Sequence, residues 1–174
     1  LNIALESEKP ILIEKPVATG VKYLSQFRSQ CPNNIMIGYN RRFFSSIQTT
    51  KKILDKSVTV GCANLQLPES IDVNLNFQDA VLPVYENSCH GLDLLLYLFP
   101  RLRIKVVENF KKNGPYFGRY VLLENNLGSI CSLFMIWNAP ANFSLSIDLG
   151  ENRIDLTPFE ILRVYNKLEI EEPT

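Results

Sequence analysis

Two short stretches decide the fold of this chain: residues 11–16 read Ile-Leu-Ile-Glu-Lys-Pro, and residues 35–40 read Ile-Met-Ile-Gly-Tyr-Asn. Each begins with three apolar residues, the pattern of a short parallel strand that is buried on both faces. Residues 18–30 between them place Val21, Leu24 and Phe27 on one side of a helix. The sequence therefore predicts a βαβ unit with two parallel strands.

Residues 1–9, before this unit, predict part of a helix. Leu1, Ala4 and Leu5 share a helical face, no capping residue stands before them, and Pro10 ends the segment. We expect the first turns of this helix to lie in sequence that precedes Leu1; an ordinary processed terminus is the alternative. Because two strands do not make a stable doubly wound sheet, the unit either joins the rest of the chain or ends a larger nucleotide-binding domain.

The remainder of the chain predicts two helices, separated by a strand and a loop, and then a run of strands. The helices are expected at residues 45–56 and 84–99, and the polar segment 68–80 is expected to be a loop. The strands are expected at 58–67, 103–109, 117–124, 128–137, 143–149, 152–157 and 160–165. This order predicts an α/β (α+β) class in which the later strands are antiparallel.

The composition excludes several classes of function. Eighteen basic and 18 acidic residues give a net charge of zero, so nothing in the overall charge favours nucleic acid or an anionic membrane. No apolar run approaches the ~18 residues of a membrane span. The chain has a single histidine and four widely spaced cysteines, Cys31, Cys62, Cys89 and Cys131, which do not form a metal-binding pattern. We therefore expect no metal site, and we expect the cysteines to be reduced thiols in a cytoplasmic protein.

Polar residues follow both strands of the predicted βαβ unit. Ligands collect beyond the carboxyl ends of parallel strands, so Lys15 and Asn40 are expected at the same edge of the sheet. A desolvated lysine there can exchange protons near neutrality, and the adjacent Arg41 and Arg42 suit recognition of carboxylate or phosphate. The alternative is that these are solvated charges at a strand exit and a helix entry.

The predicted helix 84–99 carries a polar stripe on an otherwise apolar surface. Glu86, His90, Asp93 and Tyr97 follow one another at spacings of 4, 3 and 4 residues, which places them on one face. Because unpaired buried charge is costly, this stripe must face partners or a pocket. The alternative is a satisfied core histidine beside carboxylates on the helix surface.

Taken in order, residues 11–18, 38–43 and 90–95 resemble the Gfo/Idh/MocA family of NAD(P)-dependent oxidoreductases. The resemblance implies that residues 1–40 are the incomplete end of a dinucleotide-binding Rossmann domain. It implies that residues 41–174 form an α/β domain for substrate binding and oligomerisation, with an open, mostly antiparallel sheet.

The resemblance also implies roles for individual residues. Lys15 and His90 correspond to the catalytic lysine and histidine, and the other expected contacts are Glu14, Lys15, Pro16 and Asn40 for the cofactor and Tyr39, Arg41, Glu86 and Asp93 for the substrate. Many family members carry Asp at the position of Glu86. The G-x-G-x-x-G turn that holds the pyrophosphate is not found in these 174 residues, so weak or no binding of NAD or NADP is expected for this chain alone.

The expected activity of the complete protein is hydride transfer between nicotinamide and a carbinol carbon of a sugar, cyclitol or nucleotide sugar. The alternative is a non-catalytic saccharide-binding or assembly module that keeps the fold. Residues 128–137 are apolar on both faces, and in this family the open sheet face commonly pairs with another subunit, which predicts a homo-oligomer. The alternative for that face is a cover formed by the strands of residues 143–165.

Overall fold

The computed structural model describes residues 9–18, 22, 25, 33–57, 61–70, 87–111 and 116–166. The chain divides into an N-terminal unit, Leu1–Asn40, and a C-terminal unit, Arg41–Thr174. The predicted helix before Pro10 and nearly all of the predicted helix 18–30 lie outside the described residues. Most of the predicted loop 68–80 lies outside them as well.

In the N-terminal unit, strand β1 (Ile11–Ile13) pairs with strand β2 (Ile35–Ile37). The strands are parallel, with Ile11 opposite Ile35, which confirms the predicted pairing. Leu12 and Met36 are register partners on one face of the pair and are 67% and 57% exposed. The prediction that both faces of these strands are buried is therefore wrong, because the three-residue apolar pattern does not specify what covers each face.

The C-terminal unit is a mixed α/β domain built around one sheet. A 3-10 helix, Asn40–Phe43, leads into it, and its helices are α1 (Ser45–Lys56) and α2 (Cys89–Leu98). Its strands are β3 (Cys62–Leu67), β4 (Arg103–Lys111), β5 (Tyr116–Glu124), β6 (Ile130–Ile136), β7 (Ser144–Asp148), β8 (Arg153–Leu156) and β9 (Leu162–Tyr165). The observed limits of β4–β9 agree with the predicted ones to within two residues.

The seven strands lie in the order β4-β5-β6-β3-β7-β8-β9. Strand β3 is parallel to β6, and every other neighbouring pair is antiparallel, which confirms the predicted mostly antiparallel sheet. Its register aligns buried residues in rows across five strands, one row being Val121, Leu133, Leu65, Leu145 and Leu156. Among the described residues, these rows and the buried faces of α1 and α2 form a hydrophobic core.

The other face of the sheet is more open. Ile130 on β6 is exposed, and Phe134 and Ile136 are half-buried, whereas Cys131, Leu133 and Met135 on the core side are buried. The strands between residues 143 and 165 extend the same sheet as β7–β9. The alternative in which they cover its open face is therefore wrong, and the homo-oligomer stays a prediction.

No helix in the described ranges is long and apolar enough to cross a bilayer. The same residues contain no group of three or more His, Cys, Asp or Glu side chains arranged to hold a metal ion. Cys62, Cys89 and Cys131 carry thiols, and Cys31 lies outside the described residues.

Candidate active site

The polar residues after β1 lie beside the residue that follows β2. The backbone N–H of Gly38 donates to the carbonyl of Ile13 at 2.8 Å, which continues the pairing past the end of the strands. A Cβ on Gly38 would lie 3.4 Å from a carboxylate oxygen of Glu14. The side chain of Glu14 therefore lies over the end of β2, within van der Waals distance of that position.

Lys15 and Pro16 follow Glu14 and are half-buried, and the peptide bond between them is cis. After β2, Tyr39 is half-buried and Asn40 is exposed, and the Tyr39 N–H donates to the carbonyl of Ile37 at 2.7 Å. The parallel pairing brings the carboxyl ends of both strands to one end of the pair. The predicted cofactor contacts of the N-terminal unit thus share one edge of its sheet.

Helix α2 carries His90 into the interior of the C-terminal unit. His90 and Asp93 are each 8% exposed. A Cβ on Gly91 would overlap the Cδ2 of Leu67 and lie 3.2 Å from its Cδ1, so only glycine lets the helix pack this closely on β3. The predicted burial of the helix is confirmed for His90 and Asp93, while Glu86 lies outside the described residues.

Asp93 is held by an arginine that the sequence did not single out as its partner. Both of its carboxylate oxygens accept hydrogen bonds from Arg42, one of them from Nε at 2.7 Å. The Arg42 guanidinium also lies over the ring of Tyr97, 5.2 Å from its centroid. The pair ties the 3-10 helix to α2, and the role of Asp93 as a substrate contact stays a prediction.

Arg41 lines a pocket within the C-terminal unit. Its guanidinium carbon lies 5.4 Å from the ring centroid of Phe143 and 5.7 Å from that of Phe159, so both rings hold it by cation–π contacts. The pocket has a volume of about 600 Å³, within the range of small-molecule sites. Its lining includes these three residues and Pro68, Glu69, Ser70, Asn87, Ala141, Asn142, Pro158 and Glu160.

Glu69 is a buried carboxyl group in this pocket, 4% exposed. The hydroxyl of Ser88 donates to its Oε1 at 2.6 Å. Burial raises the pKa of Glu69, while hydrogen bonds from Ser88 and Asn87 and the charge of Arg41 act in the opposite direction. Because Ser88 stands two residues before His90, Glu69 is bonded to the segment that begins the helix of the predicted catalytic histidine.

Sequence reasoning missed Glu69 because it grouped residues 68–80 as a polar loop. Its position could have indicated a site, because Glu69 lies two residues after the end of β3, as Lys15 lies two residues after the end of β1. The structure brings Glu69 together with Arg41 and Asn87 in one pocket. Lys15 and His90 belong to different units, and their cooperation stays a prediction.

Comparison with solved structures identifies the fold of this chain. No family model and no curated protein matches the chain. Solved structures match it: a D-galactose-1-dehydrogenase from Rhizobium etli shares 13% identity and a TM-score of 0.73 over 98% of this chain and 60% of its own. A WlbA dehydrogenase from Bordetella pertussis in complex with NADH and UDP-GlcNAcA shares 13% identity and a TM-score of 0.73 over 97% and 59%.

An inositol dehydrogenase homologue from Azotobacter vinelandii, complexed with NADH and myo-inositol, shares 13% identity and a TM-score of 0.69 over 94% of this chain and 51% of its own. The chain spans between 51% and 60% of the length of these three structures. It has the fold of part of each of these dehydrogenase structures.

Proposed function

We propose that this chain is the C-terminal portion of an NAD(P)-dependent oxidoreductase of the Gfo/Idh/MocA family, acting on a carbinol of a sugar, cyclitol or nucleotide sugar. The observation that carries the proposal is the fold likeness over 94–98% of this chain to sugar and inositol dehydrogenases. The residues that carry the sequence resemblance, 11–18, 38–43 and 90–95, add independent support. We place the activity in the cytoplasm, where reduced thiols and the cofactor are both found.

The N-terminal unit fits the nicotinamide end of the cofactor. Glu14, Lys15 and Pro16 follow β1 and Asn40 follows β2, at the strand ends where such ligands collect. The glycine-rich turn for the pyrophosphate is not found in these 174 residues, so we expect weak or no binding of NAD or NADP by this chain alone. When bound, the nicotinamide supplies the acceptor or donor of the hydride.

The protein's own residues manage the proton of the reacting hydroxyl group. The His90 imidazole accepts that proton as the carbinol becomes a carbonyl, and Lys15 Nζ hydrogen-bonds to the same oxygen. Tyr39, Arg41, Glu86 and Asp93 orient the substrate, and Arg42 fixes the carboxylate of Asp93 by two hydrogen bonds. The low exposure of His90 supports this role, since water must be kept from the reacting centre.

The experiment uses the longest reading frame that contains this chain. Purified product is mixed with NAD⁺ or NADP⁺ and a panel of sugars, cyclitols and nucleotide sugars, and the reduced nicotinamide is followed by its absorbance. We expect turnover with at least one of these substrates. Lys15→Ala and His90→Ala should each lower kcat by about 10²-fold or more, whereas the exposed Lys9→Ala should leave it unchanged.

A second candidate is a non-catalytic saccharide-binding module. It is favoured by the position of the pocket, whose described lining belongs entirely to the C-terminal unit. Saccharide binding without any turnover by the longer protein would favour this candidate, and turnover that depends on Lys15 and His90 would exclude it.

A further inference from the structure

The pocket around Glu69 lies where β3 and β6 end. These strands are parallel and end together, with Leu67 opposite Met135. Beyond them, the N–H of Asn138 donates to the carbonyl of Glu69 at 2.7 Å, so the backbone that carries Glu69 is fixed by the turn that follows β6. The side chain is fixed as well, because the hydroxyl of Ser88 donates to its Oε1. Glu69 is therefore a preorganised carboxyl group just beyond the carboxyl end of β3.

The chemical groups in this pocket complement hydroxyl groups. The guanidinium of Arg41 only donates hydrogen bonds, and an ionised Glu69 only accepts them. A hydroxyl group does both, so a ligand hydroxyl can accept from Arg41 while it or its neighbour donates to Glu69, beside the hydrogen bonds that Glu69 accepts from Ser88 and Asn87. Ser70, Asn87 and Asn142 add further groups that donate and accept.

The charges around the pocket favour an uncharged ligand. Glu69 and Glu160 are its described acidic lining residues, and Arg41 is its described basic one. The charge of Arg41 already interacts with Glu69, so an anionic ligand would meet a second carboxylate without a compensating cation among these residues. Phe143 and Phe159 offer apolar ring surface on which the C–H face of a saturated ring can pack.

We propose that Glu69 is a specificity-determining residue that, together with Arg41, binds neighbouring hydroxyl groups of an uncharged polyol ring in this pocket. The identification of that ligand as the substrate rests on the proposed function. The binding itself requires only residues of the C-terminal unit, so it is measurable on the 174-residue chain without cofactor or turnover.

The test is calorimetric or NMR titration of the 174-residue chain with two matched pairs of ligands: D-glucose against D-glucuronate, and myo-inositol against myo-inositol phosphate. We expect at least one neutral polyol to bind and to bind more tightly than its anionic partner. Glu69→Gln, which keeps the shape of the side chain and an oxygen for Ser88, should weaken binding by about 10-fold or more. Glu151→Gln, the same change at an exposed position outside the pocket, should change it by less than about 2-fold.

Arg41→Gln provides a second variant should Glu69→Gln fail to fold, and it should weaken binding by a similar factor. The proposal is overturned if no neutral polyol binds, if the anionic partners bind more tightly, or if the pocket variants bind as the wild type does. Turnover by the longer protein that is insensitive to Glu69→Gln would overturn this inference and leave the proposed function standing. Binding that depends on Glu69, without any turnover, would overturn the proposed function alone.

Discussion

The two side chains of the Arg42–Asp93 pair should differ in how much their removal lowers the free energy of unfolding. Arg42 donates from Nε and Nη2 to both oxygens of Asp93. The Asp93 side chain is 9% exposed and that of Arg42 is 40% exposed. If Asp93 is removed, the guanidinium can turn toward water and keep its contact with the Tyr97 ring. If Arg42 is removed, a buried carboxylate loses its cation.

The expected magnitudes follow from this difference. Breaking a fully buried ion pair costs about 3–5 kcal/mol, and exposed pairs contribute about 0–1 kcal/mol. Because one partner here is accessible to water, Arg42→Gln should lower the free energy of unfolding by about 2–3 kcal/mol, within those limits. Asp93→Asn should lower it by about 1–2 kcal/mol, since the buried amide still accepts one hydrogen bond.

Urea denaturation of the wild type, both single variants and the double variant gives the coupling free energy between the two side chains. We expect about 1–2 kcal/mol, because neighbouring charges in a partly buried pair couple strongly. The exposed helical pair Lys51–Asp55 is the matched control and should couple by no more than about 0.5 kcal/mol. Equal coupling in the two pairs, or a smaller loss of stability for Arg42→Gln than for Asp93→Asn, would contradict the expected difference.

Three further predictions concern α2, the pocket and the thiols. Gly91→Ala should destabilise the fold by about 0.5–2 kcal/mol in urea denaturation, because the clash with buried Leu67 outweighs the better helix propensity of alanine. Burial raises the pKa of Glu69, so its carboxyl binds more protons in the folded than in the unfolded state above the ordinary value of 4.5, and stability falls as the pH rises there. The stability of Glu69→Gln relative to the wild type should therefore increase between about pH 4.5 and neutrality, and a pH-independent difference in thermal unfolding would count against this. Iodoacetamide at pH 8 should label exposed Cys62 and leave Cys131 unlabelled, since burial raises the pKa of Cys131 to about 12; peptide mass spectrometry detects either outcome.

Local patterns were sufficient to predict most elements of this fold. The three-residue apolar runs at residues 11–13 and 35–37 predicted β1 and β2 as a parallel pair, and segments of strand-forming residues between turns located β4–β9. The order of strands in the sheet could not be predicted from such patterns, because the pairing of β3 with β6 joins segments that lie far apart in sequence. The exposure of Leu12 and Met36 could not be predicted either, since a run of apolar residues does not identify the element that packs on each face.

The candidate site was predictable where its residues share one element. The spacing of three residues between His90 and Asp93 was enough to place both on one buried face of a helix. The Arg42–Asp93 pair joins positions 51 residues apart, and no local pattern selects Arg42 over Arg41 as the partner. Glu69 was missed because its hydrogen-bond partners, Asn138 in the turn after β6 and Ser88, both lie elsewhere in the chain.

The proposal that this chain belongs to an enzyme which transfers a hydride from a carbinol carbon to nicotinamide can be tested by following that hydrogen. The longest reading frame that contains the chain is incubated with its best substrate, deuterated at the reacting carbon, and the nicotinamide product is examined by NMR. We expect deuterium at C4 of the nicotinamide, with a much lower rate of transfer in His90→Ala. A product oxidised without deuterium at C4, or transfer that is unaffected by His90→Ala and Lys15→Ala, would contradict it.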